Sequence, residues 1–348
     1  MALRDNKGFH PELDADHPYI FIDSCMQMWP DADLQVIHRH GVTAYGVTAM
    51  RPHVGLERAL EDLMYWHLIA RQHDNITLVT TTNDIVEAKS QGRAGLLLAA
   101  QGGDFVASKL HRLEAFYRLG LRLMIPSYNA SNAICDGCLD RTNGGLTRFG
   151  QKVVDECNRI GLVLDCTHIS ERAALDIIHR SAEPVIFSHS NPKAIIDNPR
   201  NISDEVIQAC AERDGVIGLV VWGPLVLKNG QTHWPTVDDF IDLVDHVADL
   251  LGSVDNIALS TDMSLGSYPD HEREPWGEPD YPNVSEHYGQ HVTSRLLSPK
   301  RNLDGFSSYP EVLNLIDRLL DRNYSEAAVA QILGRNYLRL FNRVWKPI

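Results

Sequence analysis

One pattern recurs down this chain: a short aliphatic run, a polar break, then an amphipathic segment with helical spacing. Apolar and β-branched runs predict strands over 19–23, 42–48, 76–81, 94–100, 121–126, 162–166, 184–187, 216–221 and 257–260. Helical periodicity predicts helices between them over 56–73, 149–160, 171–180, 204–213 and 237–251. Thr147, Ser170, Ser203 and Thr236 stand where N-caps belong, and Gly161, Gly215 and Gly252 where helices should stop. Alternating strands and helices imply a parallel sheet with right-handed crossovers. Roughly eight such units favour a closed (β/α)₈ barrel over an open sheet. A length of 348 residues is normal for one barrel, so 1–348 reads as a single domain. The stretch 263–305 differs in texture, being rich in Pro, Gly, Glu and Tyr without periodicity. It reads as a long loop over the face where barrels carry their sites. Two helices, over 309–321 and 326–344, follow it.

Several of the apolar runs end on a polar residue. LVLDCTH ends on His168, PVIFSH on His189, IALSTD on Asp262 and GLLLAAQ on Gln101, while YIFID leads to Cys25 and Gln27. Alternation along a strand puts His168 on the face of Leu164 and Cys166, and His189 on that of Val185 and Phe187. If those apolar residues fill the barrel, both imidazoles point inward at its C-terminal rim. Paired imidazoles bind a divalent metal such as Zn²⁺, and a neighbouring carboxylate handles protons. Trp222 and Trp276, near the predicted rim, could line a pocket or simply pack. Cys135 and Cys138 have CxxC spacing, but without a second pair this reads as an ordinary loop.

A net charge of −14 argues against nucleic acid or an anionic membrane as partner. The longest apolar run, 216–227, is broken by glycines and Pro224 and is too short to span a bilayer. No basic segment precedes an apolar run near Met1, and six scattered cysteines fit reduced thiols; both suggest a cytoplasmic protein.

From about Tyr19 onward the chain resembles the membrane (renal) dipeptidase family, a branch of the metal-dependent amidohydrolase barrels. The segments that carry the resemblance are GGLTRFGQKVVDECNRIGLVLDCTHIS at 144–170, PVIFSHS at 184–190, PRNISD at 199–204 and ILGRNYLRLF at 332–341. It implies a homodimeric zinc hydrolase acting on dipeptides. Family members usually hold two zinc ions, on an Asp-Gly-His-x-Asp strand end, a bridging Glu before Gly-Gly, and two further histidines. His168 and His189 match those histidines, Asp262 the catalytic Asp, and Arg200 the Arg that holds the substrate's terminal carboxylate. A substrate-contacting His falls at or beside Ser127, and Trp222 is a further candidate lining residue. The other metal positions depart from the pattern, with the His on Cys25, the Asp on Gln27 and the bridging Glu on Gln101.

Those departures alter the expected chemistry. Two dications about 3.5–4 Å apart need anions between them, and Gln27 and Gln101 are neutral. One zinc ion, or none, is therefore expected in place of two. His168 and His189 are its principal ligands, and Cys25 could reach across to it, with Asp262 or Gln101 completing the shell. The reading is amide hydrolysis of a dipeptide or similar small amide with a free carboxylate. Its alternative is a divergent relative that binds or transforms a small ligand without the dinuclear site.

Overall fold

The computed structural model describes residues 15–266 and 301–347. Its strands are β1 (Ile22–Met28), β2 (Ala44–Met50), β3 (Ile76–Leu78), β4 (Ala94–Ala100), β5 (Leu121–Met124), β6 (Val163–Leu164), β7 (Ile186–Phe187), β8 (Val216–Val220), β9 (Ile257–Ser260) and β10 (Ser264–Leu265). All nine expected strands are present, and every ladder is parallel. The first sheet runs β10-β1-β2-β4-β5-β6, with β3 beside the start of β4; the second runs β7-β8-β9. One joint between them is the Asp165–Ile186 bridge, where Cys166 N–H donates to Ile186 O at 2.7 Å. At the other joint Asp262 N–H donates to Cys25 O at 2.9 Å, and Thr261 N–H to Asp23 Oδ1 at 2.9 Å.

Closure of the ring shows best in its interior. Ile22, Ala44, Leu97, Leu123, Val163, Ile186, Val216 and Ala258, one residue from each of eight strands, form one buried cluster. Tyr337, Leu340, Phe341 and Val344, from the helix Asn336–Val344, belong to the same cluster and plug the ring from below. The Tyr337 hydroxyl reaches Ser24 Oγ at 2.6 Å. Gly218 makes room for it, since a Cβ there would lie 2.1 Å from the Tyr337 oxygen. The chain is thus a (β/α)₈ barrel in which β3 is a supernumerary strand.

The opposite strand faces pack beneath the surrounding helices, and here one expectation is corrected. Leu164, Cys166, Val185 and Phe187 belong to this outer layer; the residues that fill the barrel beside them are Val163 and Ile186. Alternation therefore cannot aim His168 and His189 at the site. The chain has left strand geometry by then, and His168 adopts φ +67°, a conformation few non-glycine residues take.

The helices start where their caps demand. Thr147, Ser170, Ser203 and Thr236 each accept a backbone N–H, from Gly150, Ala173, Val206 and Asp239, an arrangement worth about 1 kcal/mol apiece. Gly161 and Gly252 end their helices in the left-handed conformation. Gly215 does not: Asp214 takes the left-handed turn at φ +59°. Gly215 is needed for space, because a Cβ there would lie 2.4 Å from Cys210 Sγ. The helix expected over 309–321 begins as a 3₁₀ turn at Tyr309–Glu311 before α-helix Val312–Asp321. That expected over 326–344 is split by a π turn at Gln331–Arg335, where Gly334 presses against the Ile20 carbonyl. Most of the expected loop over 263–305, Trp276 included, lies outside the described residues. Among the described residues no helix is long and apolar enough to cross a membrane.

Candidate active site

The C-terminal strand ends carry the polar residues singled out from the sequence, in two adjoining groups. The first is built on β6 and β7. His168 Nε2 and His189 Nε2 face each other at 2.8 Å, and both rings are buried. Each ring is held from behind: His168 Nδ1 lies 2.7 Å from Asn129 Oδ1, and His189 Nδ1 lies 2.6 Å from Ser188 Oγ. Tyr128 stacks on His168 with ring centroids 3.9 Å apart. The His168 carbonyl accepts from Asn129 N–H at 3.2 Å and Cys138 N–H at 2.9 Å, which fixes the backbone in its unusual conformation. Burial, and then the Arg200 guanidinium, hold both imidazoles well below the ordinary histidine range, so both are neutral. With Asn129 accepting the Nδ1 proton, His168 presents an Nε2 lone pair.

Arg200 shares this group. It is buried, and its Nη2 donates to His168 Nε2 at 3.1 Å, with the His189 carbonyl at 3.5 Å. Asn191 anchors the intervening loop to β8 by donating to Val220 O at 2.9 Å and accepting from Val220 N–H at 3.0 Å.

The second group stands on β1, β4 and β9. Gln101 Nε2 donates to Cys25 Sγ at 3.2 Å, Cys25 Sγ points at Asp262 Oδ1 at 3.9 Å, and Gln27 Nε2 donates to the same Asp262 oxygen at 3.4 Å. Burial pushes the Cys25 thiol far up, and the charges of Asp262, Asp23 and Asp165 push it further, so the sulfur keeps its proton. Burial raises Asp262 to about 6, against the pull of Arg200 and the Gln27 hydrogen bond. Asp262 too sits at positive φ, +50°. Such strained residues cluster at working sites.

Beneath both groups lie two buried carboxylates that the sequence reading passed over. Asp165 Oδ1 accepts from Thr167 Oγ1 at 2.6 Å and from the Thr167 and Ser188 amides at 3.0 Å each, clamping β6 to β7. Asp23 accepts from Thr261 and from Tyr309 Oη at 2.7 Å, clamping β1 to β9; burial raises it to about 6.

Of the remaining candidates, Ser127 is buried and spends its hydroxyl on the Ala130 carbonyl, leaving Tyr128 as the residue that meets His168. Trp222 is half-buried just past β8. Cys135 and Cys138 form the expected ordinary loop. Both thiols are raised by burial, Cys138 to about 11, and Cys138 Sγ lies 3.4 Å from Asn129 Oδ1. All six cysteines are unpaired.

The site offers a cation two imidazole nitrogens, and its remaining positions do not complete a shell around them. Two neutral imidazoles with facing Nε2 atoms, each backed by an oxygen at Nδ1, are what a metal needs from its histidines. The family's other positions offer two glutamines and a protonated thiol. Among the described residues no three His, Cys, Asp or Glu side chains converge to hold an ion. Cys25 and Gln101 are thus bonded to each other, not gathered with His168 and His189 around one point.

Residues 33–273 match the family model described as membrane dipeptidase, peptidase family M19. Among curated relatives, the human protein Dipeptidase 3 is 28% identical over 294 residues, covering 83% of this chain and 52% of that protein. Dipeptidase tcpJ of Claviceps purpurea is 27% identical over 275 residues, covering 78% of this chain and 56% of that one. The chain therefore spans about half the length of the curated relatives it matches. Among solved structures, an amidohydrolase from Pseudomonas aeruginosa superposes with a TM-score of 0.83 at 27% identity, covering 96% of this chain and 98% of that one.

Proposed function

Since the chain belongs to the membrane dipeptidase family, peptidase family M19, we propose that it hydrolyses a dipeptide or similar small amide ending in a free carboxylate, with one metal ion in place of two. The observation that carries this reading is the pair of neutral, facing imidazoles of His168 and His189, with Arg200 against one of them. These two histidines would hold the ion, zinc being the metal that such a donor suits. The chemistry a bound ion supplies is a water made acidic, toward a pKa of about 7, and a polarised carbonyl. Arg200 grips the substrate's carboxylate with its paired N–H groups. Asp262, its pKa near 6, takes a proton from water at Oδ and returns it to the leaving nitrogen. Gln27 and Cys25 orient that carboxylate without adding charge. Asn129 and Ser188 keep the imidazoles turned toward the reacting centre. A homodimer in a reducing, cytoplasmic setting completes the reading, and the six free thiols support the latter.

A second reading, a metal-free ligand binder, is favoured by one contact: Arg200 occupies the His168 lone pair that an ion would use. Metal content separates the two. Protein purified without chelator and loaded with zinc should retain the ion at one per chain and cleave Ala-Ala. Asp262→Asn should lower kcat by roughly 10²–10⁴-fold with unchanged circular dichroism. Equal turnover in the zinc-free protein, or full activity in the variant, would refute the hydrolase mechanism.

A further inference from the structure

A cavity of about 350 Å³ opens beside the second polar group, and Gln27 belongs to both. Its walls are Met28 and Trp29 from the end of β1, Ala49 from β2, and Tyr65 and Trp66 from the helix Leu56–Gln72. Charged side chains at its edge neutralise one another: Asp62 accepts from Arg51 at 3.2 Å and from Arg58 at 2.8 Å, while Glu61 stands exposed at the mouth. What remains for a ligand is an aromatic and aliphatic trough that starts at the residue bonded to Asp262. On the far side of the site a smaller cavity of about 150 Å³ is bordered by His168 and Arg200.

The charges around the amide differ sharply between these ends. The Arg200 end is cationic. At the Gln27 end Cys25, Gln27 and Gln101 carry no charge; the side chains of Cys25 and Gln27 face Asp262, and Asp23 accepts from the Cys25 amide at 3.3 Å. A free ammonium carried between Met28, Trp29 and Tyr65 would exchange water for apolar neighbours. An uncharged apolar group would gain from burial against Trp29 and Tyr65.

Building on the hydrolase reading above, we propose that the substrate is an N-acyl amino acid whose bulky apolar acyl chain fills the Trp29–Tyr65–Trp66 trough while its carboxylate meets Arg200. Hydrolysis breaks the amide C–N bond, adds the water oxygen to the acyl carbon and its two protons to the products, and releases a carboxylic acid and an amino acid. No further reactant is required.

The test compares N-octanoyl-alanine, N-acetyl-alanine and Ala-Ala on the zinc-loaded full chain. The octanoyl compound should exceed the acetyl one in kcat/KM by about tenfold or more, since two or three newly buried methylenes suffice for that. In Tyr65→Ala, and independently in Ala49→Leu, the octanoyl-to-acetyl ratio should collapse toward one. A ratio of one or less in the parent protein, or a ratio unmoved by both variants, overturns the proposal while leaving amide hydrolysis standing. Absence of turnover on all three compounds overturns the hydrolase reading instead, and calorimetric binding of N-octanoyl-alanine then decides this one. Binding that Tyr65→Ala weakens at least about fivefold, a hydrophobic contact's worth, supports the trough. No binding, or equal binding by both proteins, overturns it.

Discussion

Asn129 offers a sharp test of how the imidazole pair is prepared for a cation. Its Oδ1 lies 2.7 Å from His168 Nδ1 in a buried setting and so selects the tautomer with a free Nε2 lone pair. Because Asn129 sits at φ +62°, replacement by Ala would add about 1–2 kcal/mol of left-handed backbone cost and obscure the result. Asn129→Gly removes the amide without that cost. The variant leaves one buried N–H without its acceptor, which should destabilise the metal-free protein by about 1–3 kcal/mol. Releasing the ring should also weaken zinc by roughly 10–100-fold, the usual effect of losing an outer partner of a liganding histidine. At about 1.4 kcal/mol per decade that is about 1.4–2.7 kcal/mol. Competition against a chromophoric zinc chelator reads the affinity, and urea unfolding in EDTA reads the stability separately. Cys138→Ala serves as a comparison, because Cys138 Sγ touches the same oxygen at 3.4 Å and the Arg200 side chain besides. Zinc affinity within twofold of the parent protein, with the stability loss present, would refute the tautomer argument.

Two further expectations follow from the electrostatics. As a base Asp262 works ionised, so kcat/KM should rise with pH through an acid limb near 6. Arg200 lowers that pKa, so Arg200→Met should move the limb to higher pH. A limb that stays put or moves down in a pH–rate profile would exclude the coupling. Cys25→Ser should leave zinc content unchanged, because the protonated thiol is bonded to Gln101 and not to the imidazole pair. Elemental analysis showing lost zinc would reinstate Cys25 as a ligand.

The barrel was legible because the strands of the ring announce themselves by apolar runs and four of the helices by hydroxyl caps. Those signals are local, and Thr147, Ser170, Ser203 and Thr236 act within three residues of themselves. The site was legible only as far as the strand ends. His168, His189, Asp262 and Arg200 could be named, but their directions came from alternation, which stops applying once Asp165 and Thr167 turn the chain. Asn129 and Tyr128 escaped notice because nothing in SYN at 127–129 says that the turn will fold back over His168. A polar tripeptide directly after the 121–126 strand was the available clue. The partnership of Asp23 with Tyr309 spans 286 residues, and no local pattern encodes it.

The hydrogen bond between Ser24 and Tyr337 joins residues 313 apart in the chain. It belongs to the plug that seals the lower mouth of the ring. During synthesis β1 leaves the ribosome long before its sealing helix exists, so until that helix emerges the hollow has no floor. The ring can reach its finished packing only once the ribosome has passed residue 344. Nascent chains stalled short of that point should bind hydrophobic dyes and yield to protease.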